Sequence, residues 1–317
     1  MPRGPRLLKW LGVLIVAALP LVDRNAYHLD VLTTAWLYAL LALGLNLIVG
    51  FVGLLNLGYA AFFAIGAYTY ALANLHLHVP FWLGLPLAAA VAGAAGLLLG
   101  LPAIRARGDY LAIVTLGFGE IVRLVVTNLE PWTGGPNGLM GIANPALGRY
   151  DFGVATAPYY WLTLILVGLV IWVSQRLMGS RIGRAWAAIR EDELAAQCMG
   201  IDTLRLKLLA HGCGAAVAGL AGCVFAAKQG AITPDSFDFI VSVTVLAMVI
   251  LGGLGNPLGA VVGAVVLTVL PELLREFAAY RMLLFGATLL VIMRVRPQGL
   301  LGTPQIRGEL ARGAPAR

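Results

Sequence analysis

The sequence predicts an all-α protein that crosses a membrane about ten times. Hydrophobic residues make up 60% of its 317 residues, charged residues only 12%, and the mean hydropathy is +0.87. Apolar runs of about twenty residues, the length that spans a bilayer as a helix, recur along nearly the whole chain. The alternation of apolar and polar residues that marks a membrane β-barrel is missing. We therefore expect a polytopic helical membrane protein.

The predicted spans follow one another with mostly short connections. They cover residues 7–22, 31–50, 52–73, 81–104, 110–129, 159–177, 208–228, 238–255, 257–275 and 281–296. They form one transmembrane domain over residues 1–302, which a basic cytoplasmic tail, 303–317, follows. The apolar run 7–22 could be mistaken for a secretory signal, but no convincing small-residue cleavage site follows it, so we expect an uncleaved first helix.

The Lys and Arg residues predict how the spans are oriented. With ten crossings, 16 of the 22 basic residues fall on one face of the membrane and five on the other, while Arg123 lies inside a span. Connections rich in Lys and Arg stay in the cytoplasm. Both termini are therefore expected in the cytoplasm. The net charge of +7 follows from this topology and requires no nucleic-acid partner.

Two polar connections are long enough to bind soluble proteins. The first, the coupling segment 179–207, lies on the cytoplasmic face, and its centre AAIREDELAAQCMG is expected to form a short helix that stops at Gly200. The second, the outer loop 130–158, is rich in Gly, Pro and Asn and contains TGGPNG, which favours tight turns. The outer loop is either a surface connector or a surface that receives a soluble partner.

Two glycine-rich stretches are candidates for irregular membrane helices. The stretch Gly53–Tyr68 sets three glycines beside Asn56 and Tyr59. Such glycines allow close helix packing, the more common role, or a break that turns backbone groups towards a path. The stretch Ile250–Gly259, with Asn256, has a loosely similar order of residues, as an internal repeat would leave.

One span carries charged residues. In GFGEIVR, Glu120 and Arg123 are three positions apart and can meet on one face of a helix. Charges inside a bilayer are costly and by default indicate a functional site. The alternative is an ion pair that locks helix packing or lies near the outer end of the span.

The sequence contains no motif for catalysis or for energy conversion. No Gly-Lys dipeptide occurs, so a phosphate-binding loop and an ATPase site are excluded. The three Cys and four His residues form no ligand set, and Asp235 with Asp238 would be weak support for a metal-dependent transferase. We expect no catalytic residues, cofactor or metal. A secondary carrier and an intramembrane transferase remain as alternatives to a transport subunit driven by a partner.

Several longer blocks carry a resemblance to a known family. They are RGDYLAIVTLGFGEIVR (107–123), TGGPNG (133–138), GRAWAAIREDELAAQCMGI (183–201), FAAKQGAITPDSFDF (225–239) and VILGGLGN together with RPQGLLG (249–256 and 296–302). From about Leu37 to Gly302 the chain resembles the LivM-type permeases of bacterial branched-chain amino-acid ABC importers. The resemblance implies a multi-pass protein of the bacterial inner (plasma) membrane that carries Leu, Ile and Val or related amino acids. Urea, amides or other amino acids are the alternative cargo.

The resemblance also implies partners and site residues. The partners would be a second, LivH-like permease of the same fold, two cytoplasmic ATPases (LivG-like and LivF-like), and a periplasmic or lipid-anchored amino-acid binding protein. The coupling segment is similar to the E-A-A-x-x-x-G element of ABC permeases, with Leu194 in place of its Glu. The candidates for ATPase coupling are Arg190, Glu191, Glu193, Ala195, Ala196 and Gly200; for the translocation path, Asn56, Tyr59, Glu120, Arg123 and Asn256; and for receptor docking, Thr133, Gly134, Gly135, Asn137, Asp235 and Asp238.

Overall fold

The computed structural model describes residues 19–20, 25–103, 109–147, 150–153, 156–273, 286 and 299–301. Its helices are α1 (Ala26–Leu45, continued by a π-helical turn, Asn46–Val52), α2 (Tyr59–Leu77), α3 (Phe81–Ala103), α4 (Asp109–Asn128), the single turn α5 (Glu130–Thr133), α6 (Thr156–Gly179), α7 (Arg181–Glu191), α8 (Glu193–Cys198), α9 (Thr203–Gln229), α10 (Phe239–Gly252) and α11 (Pro257–Leu273). The short strands are β1 (Leu139–Met140), β2 (Ala146–Leu147), β3 (Tyr150–Asp151) and β4 (Ala231–Ile232).

Seven segments of the described part are long and apolar enough to cross a membrane. They contain α1, α2, α3, α4, α6, α9 and α10, and α11 is a shorter apolar helix. An all-α polytopic membrane protein is thus confirmed, with fewer crossings described than the ten that were predicted. Three predicted segments lie outside the described residues: the span 7–22 apart from positions 19 and 20, the span 281–296 apart from position 286, and the tail 303–317.

The predicted span 52–73 begins later than expected, because the chain leaves the helical conformation after α1. Gly53 has φ +81°, and residues 53–58, which we call the first break, are irregular. Two backbone N–H groups of the first break bond to side chains: that of Leu57 donates to Thr115 Oγ1 (3.0 Å) and that of Gly58 to Asn56 Oδ1 (3.0 Å). These bonds satisfy donors that a continuous helix would have used internally.

The predicted span 238–255 is also shorter than expected. Helix α10 ends at Gly252, and residues 253–256, the second break, connect it to α11. Gly253 and Gly255 have φ angles of +115° and +80°, which side-chain-bearing residues rarely adopt. The two glycines therefore stop the helix before it reaches the predicted length.

Helix α9 lies at the centre of the bundle and packs against α2 and α3. Glycines permit the close approach: a Cβ on Gly66 of α2 would lie 2.4 Å from the Cα of Gly219, and a Cβ on Gly96 of α3 would lie 2.5 Å from the Cβ of Ala215. Membrane helices associate through such small residues because lipid provides no hydrophobic drive between them.

The connections fall at two ends of the bundle. The inner end, as we name it, carries α7, α8, both breaks and residues 299–301, where the N–H of Leu300 donates to the carbonyl of Leu251 (2.8 Å). The outer end carries the outer loop and the turn 230–238. There β1 pairs with β4 antiparallel, with Leu139 opposite Ile232, so the two connections form one surface.

The coupling segment forms two helices rather than the one short helix that was expected. Asp192 adopts an extended conformation (φ −156°) between α7 and α8. Its carboxylate accepts hydrogen bonds from the N–H groups of Leu194 (2.8 Å) and Ala195 (3.0 Å), so it caps a new helix instead of continuing the old one. Helix α8 ends before Gly200, whose φ of +82° confirms the predicted stop.

Candidate functional site

An ion pair lies beyond the midpoint of α4, at the edge of the face that this helix turns away from the bundle. The Nε atom of Arg123 donates to both carboxylate oxygens of Glu120 at 3.0 and 3.2 Å, and Nη2 donates to Oε1. The predicted meeting of these residues on one helix face is confirmed. The Glu120 side chain is 45% exposed and that of Arg123 32%. Exposing charged side chains of a membrane-spanning helix to lipid costs free energy. These two side chains therefore require a polar neighbour or water.

Helix α2 begins beside the middle of α4. A Cβ on Gly58 would lie 1.9 Å from the carbonyl oxygen of Thr115 and 3.3 Å from the backbone nitrogen of Gly119. The N–H of Leu57 reaches Thr115 Oγ1, as described above. Because the first N–H groups of a helix carry partial positive charge, the start of α2 brings that charge close to Glu120.

Asn56, in the first break, is fully buried. Its Oδ1 accepts from the N–H of Gly58, but its Nδ2 has no hydrogen-bond partner among the described residues. An unpaired buried amide donor carries a desolvation penalty of about 1–3 kcal/mol. The first break therefore holds an unused donor next to the start of α2.

Helix α10 begins at the same place. The carboxylate of Asp238 caps it by accepting from the N–H of Val241 (3.1 Å). Ser242, in its first turn, accepts from the N–H of Ala60 in α2 (2.8 Å), so the starts of the two helices are joined directly. The chain arrives there from the outer end through the 3₁₀ turn Pro234–Phe237.

Two narrow crevices separate these helix starts from α4. The first, of about 30 Å³, is lined by Leu57, Gly58, Ala60, Leu116, Gly119, Glu120, Phe237, Asp238, Phe239 and Ser242. The second, of about 10 Å³, includes Arg123, Tyr68 and Phe237 in its walls. Phe237 lines both crevices, and its ring packs on Phe63 with a centroid distance of 5.0 Å. The crevices therefore combine charged groups, helix starts and aromatic surface.

The other two path candidates, Tyr59 at the first position of α2 and Asn256, do not line the two crevices. Tyr59 is buried and donates through its hydroxyl to the carbonyl of Gly214 (2.8 Å), which ties α2 to α9. Asn256 is at the inner end, where its Nδ2 donates to the carbonyl of Leu301 (2.7 Å). Of the predicted path residues, the structure thus gathers Asn56, Tyr59, Glu120 and Arg123 around the α2 start, although the hydroxyl of Tyr59 is bonded to α9.

The inner end presents only part of the coupling segment to solvent. Glu191, Ala195 and Gly200 are exposed, whereas Ala196 is 4% exposed and packs inward. Glu193 pairs with the buried Lys207 (2.5 Å), which fixes α8 to the start of α9. Two residues that sequence reasoning missed project outward: Leu194 is 59% exposed and Met199 82%. The sequence feature that could have identified them is the occurrence of large apolar residues within a polar segment.

The outer end gathers the receptor-docking candidates on the surface that β1 and β4 form. Thr133 and Gly135 are buried, and Thr133 Oγ1 donates to the carbonyls of Val126 (2.6 Å) and Leu129 (2.9 Å), so both residues serve the loop's own structure. Gly134 is partly exposed with φ +71°. Asn137 and Asp235 are exposed and remain accessible to a partner.

The geometry of the breaks and the ion pair defines a class of protein. Two crossings are interrupted by the breaks, and a helix of each, α2 after the first break and α10 before the second, starts beside an intramembrane ion pair, an arrangement typical of transporters. Within the described residues, no group of three His, Cys, Asp or Glu side chains is placed to hold a metal ion. The class is a membrane transport protein.

Comparison with known proteins identifies the family of this chain. Residues 27–293 match the family model of the branched-chain amino acid transport system permease component, and the chain belongs to this family. It is 46% identical to the LivM permease of the high-affinity branched-chain amino acid transport system of Salmonella typhimurium, over 94% of this chain and 75% of that protein. The corresponding LivM of Escherichia coli is 45% identical, over 95% and 76% of the two chains.

A second permease type is also related. The LivH permease of Salmonella typhimurium is 26% identical, over 85% of this chain and 92% of that protein. The resemblance to LivM-type permeases that the sequence blocks indicated is thus confirmed. No solved structure matches the chain.

Proposed function

We propose that the protein is a permease subunit of an ATP-driven importer that moves Leu, Ile and Val into the cytoplasm with the aid of a binding protein. The observation that carries the proposal is the meeting of two interrupted crossings, through the starts of α2 and α10, beside Glu120 and Arg123. The LivM permeases, which are named for branched-chain amino-acid transport, support this choice of cargo.

The chemistry of the site suits a zwitterion with an apolar side chain. The carboxylate of an amino acid is attracted by the start of α2, which no side chain caps, and by Arg123, and its ammonium group by Glu120. Leu57, Leu116 and Phe237 supply apolar wall in the same crevice. The crevice is too small for an amino acid in this conformation, so passage requires α4 to move relative to the helix starts.

A second permease of the same fold covers the outward face of α4. Besides the ion pair, this face exposes large apolar residues, among them Ile113 (65%) and Ile121 (59%). Lipid can make favourable contacts with the isoleucines but not with the charged Glu120 and Arg123. A protein surface can offer both apolar and polar groups and so can contact all four residues. The kinship with LivH as well as LivM supports a pair of related permeases.

The coupling segment meets the ATPases in the cytoplasm. Leu194, Ala195 and Met199 lie on the exposed surface of α8 and the turn after it, and large apolar side chains such as those of Leu194 and Met199 fill grooves at interfaces. The basic residues of the connections support a cytoplasmic position for this end of the bundle and for both termini. The receptor then docks at the outer end, where Asp235 and Asp238 were its predicted contacts; Asp235 is exposed, and Asp238 has the additional role of capping α10.

Trp substitutions at neighbouring alanines should distinguish the ATPase surface from the permease core. Ala195→Trp should leave the folded permease intact but weaken ATPase binding, because the new ring occupies the docking surface. Ala196→Trp should lower the yield of folded permease, because Ala196 is buried against the bundle and overpacking costs about 1–3 kcal/mol. Copurification of the ATPases and detergent size-exclusion chromatography measure the two effects. Equal ATPase binding by the Ala195→Trp variant and the parent would contradict the docking surface.

Reconstitution tests the function itself. Liposomes containing this chain, its second permease and both ATPases should take up leucine, isoleucine and valine only with ATP inside and the loaded binding protein outside. Uptake of urea, amides or other amino acids in preference would reassign the cargo. Gradient-driven uptake by this chain alone would identify a secondary carrier, and metal-dependent turnover of a lipid would identify a transferase; either result would refute the proposal.

A further inference from the structure

The guanidinium group of Arg190 reaches from the coupling segment into the membrane domain. Its Nη1 atom donates to the carbonyl oxygen of Gly50 at 2.5 Å. Gly50 lies in the π-helical turn that ends α1, where the last carbonyls of a helix have no partner within it. A cation is also favoured at this end of the helix. Arg190 therefore caps α1 from another element, 140 positions away in sequence.

Glycines form the slot that holds this side chain. A Cβ on Gly53 would lie 3.1 Å from Arg190 Cγ, and a Cβ on Gly255 would lie 3.2 Å from Nη1. Both glycines also have φ angles near +80°. A side chain at either position would be strained and would press on the guanidinium or its stem. The slot thus requires glycine from both breaks.

The two breaks are held against each other at the same point. The N–H of Gly255 in the second break donates to Oδ1 of Asn46 in the π-helical turn (2.9 Å). A Cβ on Gly50 would lie 2.6 Å from the nitrogen of Gly255. The end of α1, which leads into the first break, therefore touches the second break through bare backbone, and Arg190 lies on this contact.

Helix α7, which carries Arg190, is attached firmly to its neighbours. The ring of Trp186 is fully buried and stacks on Phe51 with centroids 6.4 Å apart. Its Nε1 donates to the carbonyl of Leu206 in α9 (2.9 Å). We therefore expect α7 to move as a rigid unit, so that a displacement of this helix also displaces Arg190.

The breaks connect this point to the site described above. The first break runs from Gly53 to the start of α2, and the second break ends α10, whose other end starts at Asp238 beside Glu120. We propose that Arg190 is a positioning residue that transmits motion of the coupling segment to both helices that begin at the candidate path. This proposal rests on the proposed function, and it makes Arg190 an internal link rather than a contact to the ATPases.

The test compares the parent transporter with Arg190→Met and Arg190→Lys in proteoliposomes containing the full complex. Arg190→Met should still assemble and hydrolyse ATP, while leucine uptake per ATP hydrolysed should fall at least about tenfold, because a hydrogen bond to a charged group is lost. Arg190→Lys should show a smaller loss, because an ammonium group can bond to Gly50 but does not fill the planar slot. Arg184→Met is the matched control, since Arg184 is exposed on the same helix and bonds only weakly to the carbonyl of Gly179 (3.3 Å).

The measured ratio separates transmission from stability. If Arg190→Met assembles poorly, uptake per ATP is compared among assembled complexes of Arg190→Lys, Arg184→Met and the parent. Equal ratios in all assembled variants would overturn the proposal and leave Arg190 as a packing residue. If the Glu120 and Arg123 variants leave uptake unchanged, the proposed path fails; the Arg190 ratio is read independently of that result.

Discussion

Joint replacement of Glu120 by Gln and Arg123 by Met should abolish most uptake while leaving the protein inserted. The two side chains bond to each other on an exposed face of α4, so removing both leaves neither charge without a partner. If they contact the amino acid, losing a charged interaction should lower uptake by about 10- to 100-fold. Uptake per assembled complex is the measurement.

The single replacements should behave differently from the pair. Glu120→Gln or Arg123→Met alone leaves one charge unpaired in a poorly solvated place, so the amount of inserted protein should also fall. The control is the double variant Asp202→Asn, Arg205→Met. It removes an ion pair of the same three-residue spacing in sequence, with 3.0 Å between Arg205 Nε and Asp202 Oδ2, at the start of α9. Asn at position 202 can still cap that helix. Full uptake by the Glu120→Gln, Arg123→Met protein would mean that the pair only covers a helix surface.

Replacing Gly58 with Val should disrupt the site through sterics alone. The new Cβ would lie 1.9 Å from the carbonyl oxygen of Thr115, a backbone atom that cannot rotate away. The start of α2 must then move off α4, and we expect the yield of folded protein, or its uptake per complex, to fall by about tenfold or more. Size-exclusion yield in detergent and uptake per complex report the two effects.

Gly168→Val provides the comparison for this variant. Gly168 is an exposed glycine of α6, and nothing lies within 4 Å of a Cβ at that position. The same substitution there should leave yield and uptake near those of the parent. If Gly58→Val and Gly168→Val behave alike, the contact between α2 and α4 is not needed for folding or for transport.

The membrane class, the described spans and the ion pair could be predicted because each depends on residues near one another in sequence. Hydrophobic length sets a span, and the three-residue spacing of Glu120 and Arg123 puts them on one helix face. The stop at Gly200 could be predicted for the same reason. The glycines of 53–58 were interpreted as packing residues or as a break; the structure shows a break that begins at Gly53 and close packing at Gly58.

The coupling segment shows where local signals were insufficient. Its residues favoured one short helix, but Asp192 can either continue a helix or cap a new one, and propensity does not decide between the two. Ala195 and Ala196 are chemically identical in the sequence. Only the packing of α8 against the bundle buries one and exposes the other.

The sequence by itself determined that this protein is a multi-pass helical membrane protein related to branched-chain amino-acid permeases, because composition and motif blocks are properties of the chain alone. The tertiary structure decided which residues meet. Gly58 and Asp238 line one crevice, and Arg190 lies between two breaks some 200 residues apart, because the packing of α2, α4, α7 and α10 brings them together. Such contacts depend on backbone geometry across the whole bundle, which no local pattern encodes.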